Sequence, residues 1–371
     1  MTHNLALSLA KELIQVDTVN PPGNEAQCVR IMAPLLSQAG FAVTEYEYGP
    51  NRTALVAHWG RKDQLPIMFS GHLDTVPLGS QPWARDPFGA AIEGGRLYGR
   101  GAADMKGGVA TLVASAIHHA STGNDSPLVV VLSPDEEIGC AGVTKLIQDN
   151  ALPQPRCIFV AEPTGNSPCL GHKGVFWFKA LFHGKTAHAA FPHLGDNALV
   201  KAATAALLLS NEIERGETHP VMGDLTLVPS RMRSGDNYNS VPDLAELGVD
   251  IRSTVNLQNN VILSNITNLL MPFQPEIDVI FDLPPLWTNP DQDIVLQVFS
   301  CCDHIRNRKH DQRIATFYTD GGILGPGLGN VPVIILGPGE SGMAHQVDEY
   351  VRISDLHEGV DIYLEILNRL C

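Results

Sequence analysis

The feature that most constrains this chain is a change of rhythm that happens twice. Over residues 1–171, short β-rich runs (TALVAHW, PIMFSGHL, LVVVLS, CIFVAE) alternate with helical stretches, among them a long one at MKGGVATLVASAIHHA. Such alternation predicts an α/β unit whose largely parallel, mixed sheet is flanked by helices. From about residue 172 the order becomes strand (KGVFWFKALFHG), helix (DNALVKAATAALLLSNEIER), strand (GDLTLVPS), strand (LAELGVDIR), helix (NNVILSNITNLLM), strand (EIDVIFDL). That βαββαβ order predicts the split-βαβ, ferredoxin-like α+β arrangement, a small four-stranded sheet with two helices on one face. After PPLWTNP the first style returns, with helix DIVLQVFSCCDHIRNR, strand RIATFY, strand VPVIILG and helix ISDLHEGVDIYLEILNRL. A pattern that is left and resumed points to one domain inserted in another: residues 172–285 within a domain made of 1–171 and 286–371.

Composition narrows the class. The 371 residues exceed the usual size of a single core, and 44% apolar with 18% charged residues describes a soluble globular protein. No apolar run reaches the roughly 18–20 residues of a membrane span. The first residues, MTHNLALSLAKELIQ, read as an amphipathic helix and lack the parts of a signal peptide. A net charge of −15 argues against nucleic acid as a partner. Seven cysteines, an odd number without a CxxC pair, suit reduced thiols in a cytoplasm.

On this map the acids and histidines converge. His72 and Asp74 follow the strand PIMFSG, and Asp104 lies in GRGAADMKGG at the entrance to the long helix. Glu136 and Glu137 end VVVLSPDEE, Glu162 ends CIFVAE, and His345 follows VPVIILG in GMAHQVDEYV. Nearly all sit at or beyond the carboxyl ends of strands, where open α/β sheets bind ligands. Singly, each has a plainer reading: a hydrogen-bonded histidine, a solvated acidic turn, an Asp104 that caps the helix starting at Met105. Together they conflict, because packed carboxylates repel and desolvating each costs several kcal/mol unless it is paired. Two divalent ions resolve the conflict. The mixed nitrogen and oxygen donors suit zinc and tolerate cobalt or manganese. Ions about 3.5–4 Å apart, sharing a carboxylate and a water, form a hydrolytic arrangement that leaves one further glutamate free as a base.

The segments SGHLDTVP, GRGAADMKGG, PDEEIG, AEPT and AHQVDEYV, in that order, carry a resemblance. The chain resembles, over essentially its whole length, the dinuclear zinc hydrolases that include acetylornithine deacetylase, succinyl-diaminopimelate desuccinylase, aminoacylase and glutamate carboxypeptidase. The resemblance implies that His72 and Glu162 hold one zinc, Glu137 and His345 the other, and Asp104 bridges them. It also implies that Asp74 orients His72, that Glu136 is the general base, and that the Asp104–Met105 peptide is cis.

The same likeness makes the inserted domain a lid that also pairs two subunits. GKTAHAAFPHLGDNALV resembles the segment whose histidine, here His188, stabilises the oxyanion in a neighbouring subunit, so a homodimer is expected; His193 matches no role. NYNSVPDLAELGVDIR resembles the carboxylate-binding segment, with Arg252 gripping the substrate and Asn239 assisting. TDGGILGPGLGN resembles a substrate-side loop of the family, in which Gly321 and Gly322 are expected to let the backbone approach a ligand, while the Lys and Ser/Thr of a phosphate loop are missing.

The implied activity is hydrolysis of the amide of an N-acyl amino acid by a water bridging two zinc ions, with Glu136 taking its proton. A dipeptidase or carboxypeptidase would use the same centre. A catalytically silent amino-acid-binding relative would be expected to break the ligand set, and here every position is filled.

Overall fold

The computed structural model describes residues 1–371. Contacts divide the chain into two compact units, Met1–Gly171 with Trp287–Cys371, and His172–Leu286.

The larger unit is built on a six-stranded sheet in the order Ala42–Gly49, Arg52–Trp59, Leu128–Ser133, Ile67–His72, Cys157–Val160, Val333–Ile335. The first two strands form an antiparallel hairpin, and Arg52–Trp59 runs antiparallel to Leu128–Ser133. From there the sheet is parallel, with Ile67↔Leu128, Ile67↔Cys157 and Val333↔Ile158 in register. The parallel strands are buried along their whole length, as uninterrupted runs such as LVVVLS require when both faces are covered.

The helix Gly107–Ser121 packs against Thr2–Ile14 and Ile353–Leu370. Its second residue must be glycine, because a Cβ at Gly108 would lie 1.9 Å from the carbonyl oxygen of Ala161. That close approach sets the long helix directly against the segment leading to Glu162.

Two sequence expectations need correction. RIATFY is not a strand: of residues 313–318 only Ala315 forms a bridge, its N–H donating to the Gly171 carbonyl at 2.8 Å. A strand needs a ladder, and here Arg313 instead donates to the Thr164 carbonyl and to the Cys169 sulfur. The glycine-rich TDGG segment, expected as a loop, contains the short helix Gly321–Gly327. A small antiparallel sheet of Ile92–Glu93, Arg96–Tyr98 and Tyr350–Arg352 was not foreseen.

The smaller unit has four antiparallel strands in the order Thr226–Ser234, Leu244–Arg252, Val175–His183, Glu276–Leu283. Alternation decides its faces. Phe176, Phe178, Ala180 and Phe182 on one strand, and Ala245, Leu247, Val249 and Ile251 on its neighbour, point inward. They meet the alanine-rich side of helix Ala198–Glu212 (Ala198, Ala202, Ala205) and Ile262 and Ile266 of helix Asn259–Leu270. Asn197 caps the first helix, its side-chain oxygen accepting from the Val200 N–H at 3.1 Å.

Candidate metal centre

Parallel register brings the carboxyl ends of the strands to one edge of the larger unit. His72 is the last residue of its strand, and Glu162 lies two residues past Val160. Ser133 ends its strand, and a turn in which Asp135 is left-handed (φ 67°) then presents Glu136 and Glu137. His345, beyond Val333–Ile335, is also left-handed (φ 63°). Asp104 does not cap the long helix. That helix is preceded by a kinked turn, Ala102–Lys106, in which Asp104 (φ −121°, ψ 95°) and Met105 are non-helical and joined by a cis peptide.

Asp104 stands between two groups. One of its oxygens is 3.1 Å from His72 Nε2, which is itself 3.8 Å from a Glu162 oxygen. The other is 3.5 Å from His345 Nε2, which is 3.2 Å from a Glu137 oxygen. Within each triad, His72–Asp104–Glu162 and Asp104–Glu137–His345, the donor atoms all lie within 4.8 Å of one another. A carboxylate that offers one oxygen to each of two nitrogen-and-oxygen sets suits a pair of ions.

Electrostatics set the histidines against the acids. Burial, with neighbouring carboxylates, pushes the Glu136 and Glu162 carboxyls well above the usual range and raises Glu137. For Asp104 burial acts in the same direction, but hydrogen bonds from His345 and His72 outweigh it and hold the carboxyl low. His345 is pushed up to about 10 by its hydrogen bonds to Asp104 and Glu137. For His72, burial opposes protonation and the adjacent acids overcome it. His72 and His345 are thus the positive partners of Asp104, and one buried Glu137 oxygen has no hydrogen-bond partner. Cations fit this donor set.

Around the ligands, Asp74 faces His72 Nδ1 with both its carbonyl and its carboxylate, and against burial its interaction with His72 helps hold the acid low. The nearest acceptor to His72 Nδ1 is the Asp74 carbonyl at 3.0 Å, with the carboxylate at 3.5 Å. The carboxylate also accepts from the Glu136 and Glu137 N–H groups at 3.2 and 3.3 Å.

Two acids escaped the sequence reading. Glu349 is fully buried and accepts from the N–H groups of Gly101, Ala103 and Asp104 and from Arg100, so it clasps the turn that presents Asp104. Burial pushes its carboxyl up to about 7 against the pull of Arg100. Asp320, buried before the Gly321–Gly322 pair, accepts from the Ser133 hydroxyl at 2.5 Å and is pushed up by burial to about 6. Gly321 and Gly322 are buried in the first turn of their helix, and neither has a positive φ.

The remaining expected residues belong to the smaller unit. His188 and Asn239 are brought together there: His188 bridges to Ser240, and the Ala189 N–H donates to the Asn239 carbonyl at 2.9 Å. His188 Nδ1 accepts from the Ala190 N–H at 3.0 Å, which assigns the ring proton to Nε2. Arg252 engages Asp250 on its own strand, at 2.9 and 3.1 Å. His193 sits in the turn Pro192–Leu194, its ring against Phe191.

The profile of Peptidase family M20/M25/M40 matches residues 68–369. A probable succinyl-diaminopimelate desuccinylase of Staphylococcus aureus (strain MSSA476) is 27% identical to the chain, covering 97% of it and 96% of the relative. An acetylornithine deacetylase of Vibrio atlanticus (strain LGP32) is 26% identical, with 98% of each covered. Among solved structures, an M20 family metallo-carboxypeptidase of Sulfolobus solfataricus superposes with a TM-score of 0.82 over 98% of each chain, at 17% identity, a likeness of fold.

Proposed function

The chain belongs to Peptidase family M20/M25/M40 and is a hydrolase of that family, and on this premise we propose that it cleaves the amide bond of an N-acyl amino acid at a dinuclear metal centre. The observation that carries the reading is Asp104, with one oxygen facing each histidine–carboxylate set. The relatives named as desuccinylase and deacetylase support the substrate class.

His72, Asp104 and Glu162 would hold one ion and Asp104, Glu137 and His345 the other, with zinc the first choice for such donors and cobalt or manganese as substitutes. When bound, such ions lower the pKa of water and polarise the amide carbonyl. Glu136, buried at this edge, takes the proton of the attacking water and returns it to the departing amine. Asp74 holds the main chain of Glu136 and Glu137, which keeps base and ligand in register. His188, with its proton on Nε2, is assigned to the oxyanion, and Arg252, aided by Asn239, to the substrate carboxylate. Arg252 must then exchange Asp250 for substrate or share its fork between them. Gly321 and Gly322 are assigned to the substrate side.

The smaller unit is read as the surface of a homodimer. No helix is long and apolar enough to cross a membrane, and all seven cysteines are free, which supports a reducing compartment such as the cytoplasm.

The test is amine release from N-acetyl, N-succinyl and N-formyl amino acids and from dipeptides, with chelated and metal-restored protein side by side. Metal-dependent release from an acyl amino acid is expected. Turnover of dipeptides alone would replace the deacylase by a dipeptidase with the same centre.

A further inference from the structure

The turn that presents Glu136 and Glu137 is held from outside the centre. Asp135, left-handed at φ 67°, precedes them, a conformation that a non-glycine residue holds only where its surroundings fix it. Its carboxylate accepts from Asn20 Nδ2 at 2.9 Å and from the Arg52 guanidinium. Arg52 also grips the buried Glu25 with two hydrogen bonds, at 2.7 and 2.8 Å. Asn20 is 2% exposed and donates to Asp74 at 2.9 Å, and Asp74 in turn accepts from the Glu136 and Glu137 N–H groups.

Distant segments thus converge on one turn through hydrogen bonds and ion pairs. The charges explain why. Glu25, Asp74 and Asp135 are three acids in this network, and Arg52 is the cation that its hydrogen bonds enlist. A planar fork can serve Glu25 and Asp135 together, which a lysine ammonium does less well.

We propose that Arg52 and Asn20 are positioning residues of the metal centre, fixing Asp135 and through it the direction in which Glu136 and Glu137 leave the strand. This rests on the reading of the cluster as a metal centre. Neither residue reaches the ligand set directly; each acts through Asp135 or Asp74. Substitutions behind metal ligands commonly cost 10- to 100-fold in affinity or activity.

The test replaces the Arg52–Glu25 pair with apolar side chains, Arg52→Met with Glu25→Leu, so that no buried Glu25 carboxylate is left unpaired, while the partly exposed Asp135 loses Arg52 and keeps Asn20. Arg52→Lys and Asn20→Ser accompany it, with folding checked by chemical denaturation. Cobalt(II) alone is titrated into each metal-free protein and read by its visible absorption, and kcat and KM follow on the substrate that the wild type turns over. Affinity for cobalt or kcat is expected to fall about 10- to 100-fold in the double variant, with altered absorption bands. KM should stay within about twofold, and Arg52→Lys should fall between the double variant and the wild type.

A folded double variant with the wild-type titration, spectrum and kcat would overturn the proposal. If that variant does not fold, Asn20→Ser decides in the same way. A wild type that takes up no cobalt would overturn the metal-centre reading itself. One that binds cobalt but releases no amine would sink only the proposed substrate, leaving the cobalt titration to judge Arg52 and Asn20.

Discussion

Glu136 and Glu137 are neighbours in sequence with different expected failures. Glu137 lies 3.2 Å from His345 within a triad, whereas Glu136 belongs to neither triad. Glu136→Gln should therefore lower kcat by roughly 10²–10⁴-fold with bound metal unchanged, as expected for loss of a general base. Steady-state kinetics with metal analysis would check it, and a kcat within tenfold of wild type would remove the assignment. His345 supports a second expectation. Its folded pKa of about 10 lies above the roughly 6.5 of a free histidine, so its ion pairs contribute fully to the metal-free fold below that lower value and are lost as pH rises through the higher one. At pH 8 the ring still carries the proton that a metal ion must displace, so uptake should release protons and tighten as pH rises. Calorimetry in buffers of different ionisation enthalpy would measure this, and zero proton release would contradict it. Residues of this kind were legible in the sequence because each follows a strand end, where chemistry and position coincide. Glu349, Asp320, Asn20 and Arg52 were not, because their partners are main-chain groups or side chains that only the fold brings near.

Elements obeyed the same division. Strands buried on both faces, such as LVVVLS, are uninterrupted apolar runs and were readable residue for residue. The hairpin strand Ala42–Gly49 was missed, since AVTEYEYG is mostly exposed and lacks that signature. RIATFY misled for the opposite reason: it has strand composition, but residues 313–318 find no ladder. The start of the long helix was beyond sequence reasoning, because the kink at Asp104 departs from the local preference that made it look like a cap. Packing at that helix gives its own expectation. Gly108→Ala would set a methyl 1.9 Å from the Ala161 carbonyl, with backbone rather than a flexible side chain in the way. The helix or the strand end must shift, at a cost of about 1–3 kcal/mol or more. Since Ala161 precedes Glu162, metal affinity should weaken along with stability. Urea denaturation and a metal titration would show both. A fully stable Gly108→Ala protein with wild-type affinity would mean that this contact is looser than its geometry.

At the scale of the molecule the open matter is assembly, and the smaller unit supplies the grounds. Its helix Ala198–Glu212 leaves Leu199, Val200 and Leu207 exposed, the last at 65%. Strand Thr226–Ser234 is an edge of its sheet and exposes Val228 and Met232. Unpaired edges invite pairing with another chain, and a two-fold axis would set like edge against like edge and helix against helix. The chain is therefore expected to sediment as a dimer, and Val200→Glu with Leu207→Lys to yield a folded monomer. If His188 serves the neighbouring subunit, that monomer should lose activity about as severely as His188→Ala does. Mixing gives a sharper test. Glu136→Gln and His188→Ala dimers would each be inactive, yet a mixed dimer would contain one site with an intact Glu136 from one chain and an intact His188 from the other. Recovery of activity after co-refolding the two variants would require His188 to act across the dimer. No recovery, with mixed dimers demonstrated by mass, would confine each site to a single chain. A monomeric variant as active as the wild type would separate assembly from catalysis altogether.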